Sequence, residues 1–290
     1  MLSFLKLLGL LFSIFPRKLL VLTGEILGLF FFYFTPIRKK VAHKNLELIF
    51  PDYSTKKINH FIKQSYAHFF IVFLDFLQMH YLNKKSFEKI VKIDSSSLAI
   101  LNNIDGCILM ASHMGNWEMI TPFFHFNQLP LSVVVQSQSS TSFNKFFHWA
   151  RGFEGVELIP KKSPIETMKN SLIKNRFLAL GSDQNAGKRG IEVKLFNQKI
   201  NIPKGASLFH LQTKKPILYI QCLADKDYNY NIRILPLHEY SKQDKVENLM
   251  IINKINSIYS KLLESEIKKY PSQYFWFHRM FNKKIYNHDL

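Results

Sequence analysis

His113 and Glu118 could do proton chemistry together, and they lie in the stretch Cys107-Ile-Leu-Met-Ala-Ser-His-Met-Gly-Asn-Trp-Glu118. A carboxylate in reach of an imidazole can hold one ring nitrogen and leave the other to take a proton. On one unbroken helix the spacing would rotate Glu118 about 140° away from His113. The local pattern is different. An apolar run over 107–111 stops at Ser112-His113, and Gly115-Asn116 interrupts before Trp117 and Glu118 open a second apolar stretch. That reads as a buried strand, a tight polar corner and the first turn of a helix. Across such a corner the two side chains can meet. The alternative local reading is a satisfied histidine and a glutamate that merely suits a helix N-terminus.

The neighbouring elements argue for an α/β fold. The 107–111 strand, the helix that Glu118 opens and a strand over 131–136 form a parallel crossover unit. Further strands are expected over 156–160, 177–180 and 217–223, the last with 230–235 as hairpin partner. Helices are expected over 55–79, 143–149, 206–211 and 244–267, and another from a Ser163 cap with Pro164 in first position. Residues 81–106 read as a mixed linker. The 177–180 strand delivers Gly181-Ser182-Asp183-Gln184-Asn185 at its carboxyl end, where open α/β sheets hold ligands. An Asx-type turn is the generic alternative there. No second acidic or histidine ligand has convincing spacing to Asp183, so no metal is expected.

His113, Gly115, Asn116, Trp117 and Glu118 resemble the His-four-residues-Glu motif of bacterial lipid A biosynthesis late acyltransferases, the lauroyl/myristoyl transferase family. The basic cluster Arg38-Lys39-Lys40, then Asn45-Leu46 and Phe50-Pro51, is similar to the family's approach to its histidine. So are Arg151-Gly152, Asp183-Gln184 with Gly187, and the run Tyr270-Pro271, Gln273-Tyr274, Trp276, His278-Arg279. The chain departs from the family in having Gln136-Ser137-Gln138 where an Arg-Pro pair is common, and Met280 where a second arginine often follows.

The resemblance implies a glycerolipid acyltransferase-like α/β fold, a central mixed but largely parallel sheet flanked by helices. It implies acyl transfer from acyl-acyl carrier protein to a hydroxyl of a lipid A precursor, with no cofactor, at the cytoplasmic face of the bacterial inner membrane. His113 would take the hydroxyl proton and Glu118 would orient the imidazole. Gly115, Asn116, Trp117, Arg151, Asp183, Gln184 and Arg279 would face substrate, Arg151 matching a phosphate with its planar guanidinium. Backbone N–H groups near Gly115 would receive the oxyanion, with Arg151 a second candidate. No serine or cysteine sits in a nucleophile elbow, which favours direct transfer. The rivals are an acyltransferase for a phospholipid or glycolipid acceptor, a non-catalytic lipid-binding protein, and, more remotely, a metal-dependent hydrolase.

Composition fits an anionic partner. The 290 residues hold 39 Lys and Arg against 21 Asp and Glu, a net charge of +18, with 27 Phe and 12 Tyr. Mixed aromatic and cationic surface suits a membrane face and an acidic carrier protein better than nucleic acid, for which no motif is present. The two cysteines, Cys107 and Cys222, lie in apolar runs and read as buried free thiols. Residues 1–40 read as a membrane-associating segment and 41–290 as the acyltransferase domain. The apolar stretch 19–34 contains Glu25 and has basic residues on both sides, so an in-plane anchor is expected, with a full span as the rival.

Overall fold

The computed structural model describes residues 1–245 and 248–286. Helices α1 (Leu2–Ser13), α2 (Arg17–Tyr33), α3 (Lys39–Ile49) and α4 (Thr55–Gln78) come first, followed by α5 (Lys84–Ile90), strand β1 (Val91–Ile93) and α6 (Ser95–Asn102). Next come β2 (Ile108–Gly115), α7 (Ile120–Phe126), β3 (Leu131–Val135), α8 (Thr141–Ala150), β4 (Val156–Pro160), α9 (Ile165–Ile173) and β5 (Phe177–Gly181). The chain ends with the hairpin β6 (Ile191–Leu195) and β7 (Gln198–Ile202), then α10 (Gly205–Thr213), β8 (Ile217–Ala224), β9 (Tyr230–His238) and α11 (Asn248–Lys269).

Seven strands form one sheet in the order β1-β9-β8-β2-β5-β3-β4, and only β8 and β9 pair antiparallel within it. The fold is therefore mixed α/β with a largely parallel central sheet. β2 is the middle strand and is buried on both faces. Ile108, Met110 and Met114 enter one core, while Cys107 and Leu109 enter the other, as the two-residue period of a strand requires. Both cysteines are free and buried.

Three local expectations need correction. Residues 81–106 are not a linker: Asn83 and Ser86 form a capping box for α5, Asp94 caps α6, and β1 adds a parallel edge strand to β9. A three-residue strand carrying a lysine leaves no periodicity to read. The helix expected from a Ser163 cap has Pro164 at the cap position, with no side-chain cap bond. The corner also lies later than expected. β2 runs on through His113 to Gly115, past a register shift between Ala111 and Gly115.

The amino-terminal helices pack on α4. A Cβ added at Gly28 would lie 2.4 Å from the Ala67 Cα, and one at Gly24 would lie 2.5 Å from the Ile71 side chain. Glycine therefore sets how closely α2 approaches. The opposite faces of α1 and α2 expose Phe4, Leu7, Leu11, Leu22, Ile26 and Phe30. No helix among the described residues is long and apolar enough to cross a membrane.

This packing makes a stability prediction. Gly28→Val should lose about 1–3 kcal/mol in equilibrium unfolding, because the backbone of α4 cannot yield to the added methyls. Leu22→Ser, on the exposed face of the same helix, should stay within about 0.5 kcal/mol of the parent. Equal effects at the two positions would reject close packing as the reason for glycine.

Candidate active site

β2 and β5 are parallel neighbours, with Ala111 opposite Gly181. His113 and Asp183 each stand two residues beyond that pair, so the alternation of strand side chains brings them together at the carboxyl end of the sheet. His113 Nδ1 lies 2.8 Å from Asp183 Oδ1, and the His113 amide donates to Asp183 Oδ2 at 3.0 Å. An ionised carboxylate only accepts, so Nδ1 carries the proton and Nε2 presents a lone pair. Nε2 faces the exposed Gln184 side chain, whose amide nitrogen is 3.5 Å away. The His113 side chain is 27% exposed and that of Asp183 is fully buried.

The electrostatics follow from that contact. Burial alone would lower the imidazole pKa. The charge and hydrogen bond of Asp183, helped by the more distant Glu118, outweigh burial and the opposing Arg151, and hold it above its ordinary value. Burial would likewise raise the Asp183 carboxyl. The charge and hydrogen bond of His113 lead the groups that bring it down to about 2.

Three elements grip the backbone around the histidine. The Phe275 amide donates to the His113 carbonyl at 2.9 Å, and Met114 bridges Tyr274. The Tyr259 hydroxyl of α11 donates to the Ala111 carbonyl at 3.0 Å. His68 of α4 donates from Nε2 to the Gly115 carbonyl, 3.2 Å away. Burial lowers the His68 pKa to about 4, so its ring is neutral. Around the His113 ring stand Trp117, edge-on at 5.1 Å between centroids, and Phe275 at 6.5 Å.

Glu118 does not hold His113. Arg151 takes it in a bidentate pair, Nε to Oε2 at 2.8 Å and Nη2 to Oε1 at 2.6 Å, while Trp117 donates to Oε1 at 3.0 Å. The reason is the late corner. The chain turns at Gly115-Asn116, and the Trp117 indole touches the imidazole while giving its N–H to Glu118. The same pair removes Arg151 from the surface, where a phosphate ligand was expected: it is largely buried and lies over the Phe76 and Phe147 rings.

Gly115 and Asn116 build the corner. Gly115 has φ +63°, and a Cβ there would sit 2.0 Å from the Cys222 carbonyl oxygen. The Asn116 amide donates to that oxygen at 2.7 Å. It is therefore not free for an oxyanion, and Arg151 is engaged as well. The Asn116 side chain reaches Asp75 Oδ2 at 3.3 Å. Asp75 is fully buried and also receives Arg17 at 2.5 and 3.1 Å, Gln78 at 2.9 Å and Tyr230 at 2.5 Å. Sequence reasoning passed over this network. Its signal was a lone aspartate in the apolar face of α4 and an arginine opening α2.

Beyond Gln184, Asn185 accepts from the Gly187 amide in the Asx-type turn considered for this loop, and donates to the Phe281 carbonyl at 2.8 Å. That bond joins the loop bearing the exposed Lys188 and Arg189 to the segment bearing Arg279, which is exposed beside the Tyr286 ring.

The bacterial lipid A biosynthesis acyltransferase family matches residues 2–283, and the chain belongs to that family. It is also similar to the phosphatidylinositol mannoside acyltransferase of Mycolicibacterium smegmatis, 24% identical over 143 residues. The matched stretch spans 48% of this chain and 47% of that protein, about half of each.

Two measurements test the geometry. In Asp183→Asn the imidazole loses the neighbouring negative charge, so His113 should titrate at lower pH than in the parent, as followed by its NMR ring-proton shifts. An unmoved titration would show that the carboxylate does not sustain the shift. Glu118→Ala should cost about 3–5 kcal/mol by stranding the buried guanidinium, and Glu118→Met with Arg151→Leu should recover most of it. A double variant no more stable than the single one would reject the pairing.

Proposed function

We propose that the chain transfers an acyl group from acyl-acyl carrier protein to a hydroxyl of a lipid A precursor, with His113 as the general base. The observation that carries this reading is the partly exposed imidazole of His113, whose Nδ1 is held by the buried Asp183 and whose Nε2 faces the Gln184 side chain. Nε2 takes the acceptor proton as its oxygen attacks the thioester carbonyl. The Asp183 carboxylate stabilises the imidazolium. Collapse of the tetrahedral intermediate breaks the C–S bond, and the departing thiolate takes the proton back from Nε2. General-base catalysis of this kind contributes about 10²–10⁴-fold. The Gln184 amide, exposed beside Nε2, is the donor best placed for the developing oxyanion.

Direct transfer is favoured because the thiols cannot serve as nucleophiles. Cys107 and Cys222 are buried, and burial pushes both pKa values up. The net charge of +18 suits an acidic carrier and a phosphorylated acceptor, and exposed cations are supplied by Lys188 and Arg189, just after Gln184, and by Arg279 on the segment that Asn185 bonds. Association with the cytoplasmic face of the inner membrane, through the outward faces of α1 and α2, is part of the same proposal. Their apolar side chains would enter the bilayer interface while Lys18, Arg38 and Lys40 meet anionic headgroups. The relative's mannoside acceptor, together with Gln136-Ser137-Gln138, supports a glycolipid acceptor as the second reading.

Mass spectrometry of the lipids after incubation with defined acyl-carrier-protein thioesters separates these. A lipid A precursor should gain one acyl chain. Acylation confined to phospholipid or mannoside would overturn the acceptor assignment. His113→Ala should lower transfer at least about 10²-fold, and undiminished transfer by a folded, membrane-bound variant would reject His113 as the base.

A further inference from the structure

Three side chains converge at the end of the sheet away from His113. β2 and β8 run parallel with Ile108 opposite Ile217, and Ile217 is opposite His238 of the antiparallel β9. His238 therefore lies level with the start of β2, roughly 16 Å along the strands from His113 at ~3.3 Å per residue. Beside it are His210 of α10 and Asp244 of the 3-10 turn Lys242–Lys245, which precedes α11. His210 Nε2 is 3.0 Å and His238 Nε2 2.8 Å from the same oxygen, Asp244 Oδ2. The side chains are 0%, 11% and 2% exposed.

We propose that His210, His238 and Asp244 form a binding site for a divalent ion of the zinc class. The outer contacts are those a metal site uses. The Lys215 carbonyl lies 2.7 Å from His210 Nδ1 and can only accept, so Nδ1 carries a proton. In the neutral ring this leaves the Nε2 lone pair aimed at a carboxylate oxygen, an arrangement that needs a cation between them. Ser241 donates from its hydroxyl to Asp244 Oδ1 at 2.7 Å and from its amide to Oδ2 at 3.3 Å, fixing the carboxylate while a second lone pair of Oδ2 faces the imidazoles. Two imidazoles and one carboxylate suit zinc or cobalt rather than magnesium or calcium. An ion about 2.0–2.2 Å from each atom would widen the N–O separations by a few tenths of an ångström, and water would complete a tetrahedron on the partly exposed His238 side.

The site would join α10, the end of β9 and the approach to α11. Its role is to fix structure, far from the proton transfer at His113, and it stands independently of the proposed acyl transfer. The rival occupant is a second proton on His210, giving an imidazolium–carboxylate pair with no metal affinity. The expectation of no metal was drawn at Asp183 alone; these three ligands went unnoticed because they are dispersed over residues 210–244, without the close spacing of a recognisable motif.

The test is titration of the metal-stripped full-length protein with Co²⁺, followed by Zn²⁺. The visible bands of tetrahedral Co²⁺ should saturate at one ion per chain and vanish when Zn²⁺ displaces it, and Tm should rise with either metal. His238→Gln should abolish the bands while keeping the far-ultraviolet circular dichroism of the parent. Absence of bands and of any Tm rise in the parent protein would leave the proton-shared pair and overturn the site, whatever the variant does. Bands that persist in folded His238→Gln and folded Asp244→Asn would place the metal elsewhere and overturn it equally.

Discussion

The contact between His113 and Asp183 depends on strand order. Each side chain sits two residues past an aligned pair on neighbouring parallel strands, so placing any other strand between β2 and β5 would separate them by about another 4.8 Å. The flanking helices are arranged so that β2 can stay central and extend beyond its neighbours. From the last pair with β5 onward, its backbone takes further partners. Those come from three distant parts of the chain: α11 at Ala111, the Tyr274-Phe275 segment at His113, and α4 at Gly115. The imidazole is thus positioned through its main chain as firmly as through Asp183.

This explains why the conspicuous residues of the motif do different work. Gly115, Asn116 and Glu118 are buried and structurally engaged: Gly115 packs against the Cys222 carbonyl, the Asn116 side chain bonds Asp75, and Glu118 pairs with Arg151. They shape the corner that leaves His113 partly open. A spacing of His to Glu therefore records the length of a turn. The carboxylate that holds the His113 imidazole comes from the loop after another strand.

The legible part of the fold was the part with period. The buried strands and long helices announced themselves through runs such as 107–111 and 217–223, and β4 fell at 156–160 as expected. β1 is too short and too polar for that. The turn between β6 and β7 is left-handed at both Phe196, φ +49°, and Asn197, φ +61°; asparagine favours that geometry, but no propensity would assign it to an aromatic residue. At the site, the sequence offered His113 and Asp183 separately, each at the end of a strand. What it could not supply was their adjacency, because the order β8-β2-β5-β3 is a property of crossovers, and local pattern does not encode it.

The same distinction between local pattern and tertiary contact bears on the amino-terminal helices. By composition, residues 1–40 look like an appendage for a lipid surface. Arg17, however, pairs with the buried Asp75 and lies against the Tyr230 ring, and Asp75 in turn reaches Asn116 and Tyr230. Removing α1 and α2 would leave a carboxylate without the Arg17 cation in the interior, directly behind the corner that follows His113. Burying an unpaired charge costs several kcal/mol, so the corner and the helices favour one another's native positions. A lipid surface that engages the outward face of α2 would therefore act on an element already bonded, through a single buried carboxylate, to the turn that follows His113.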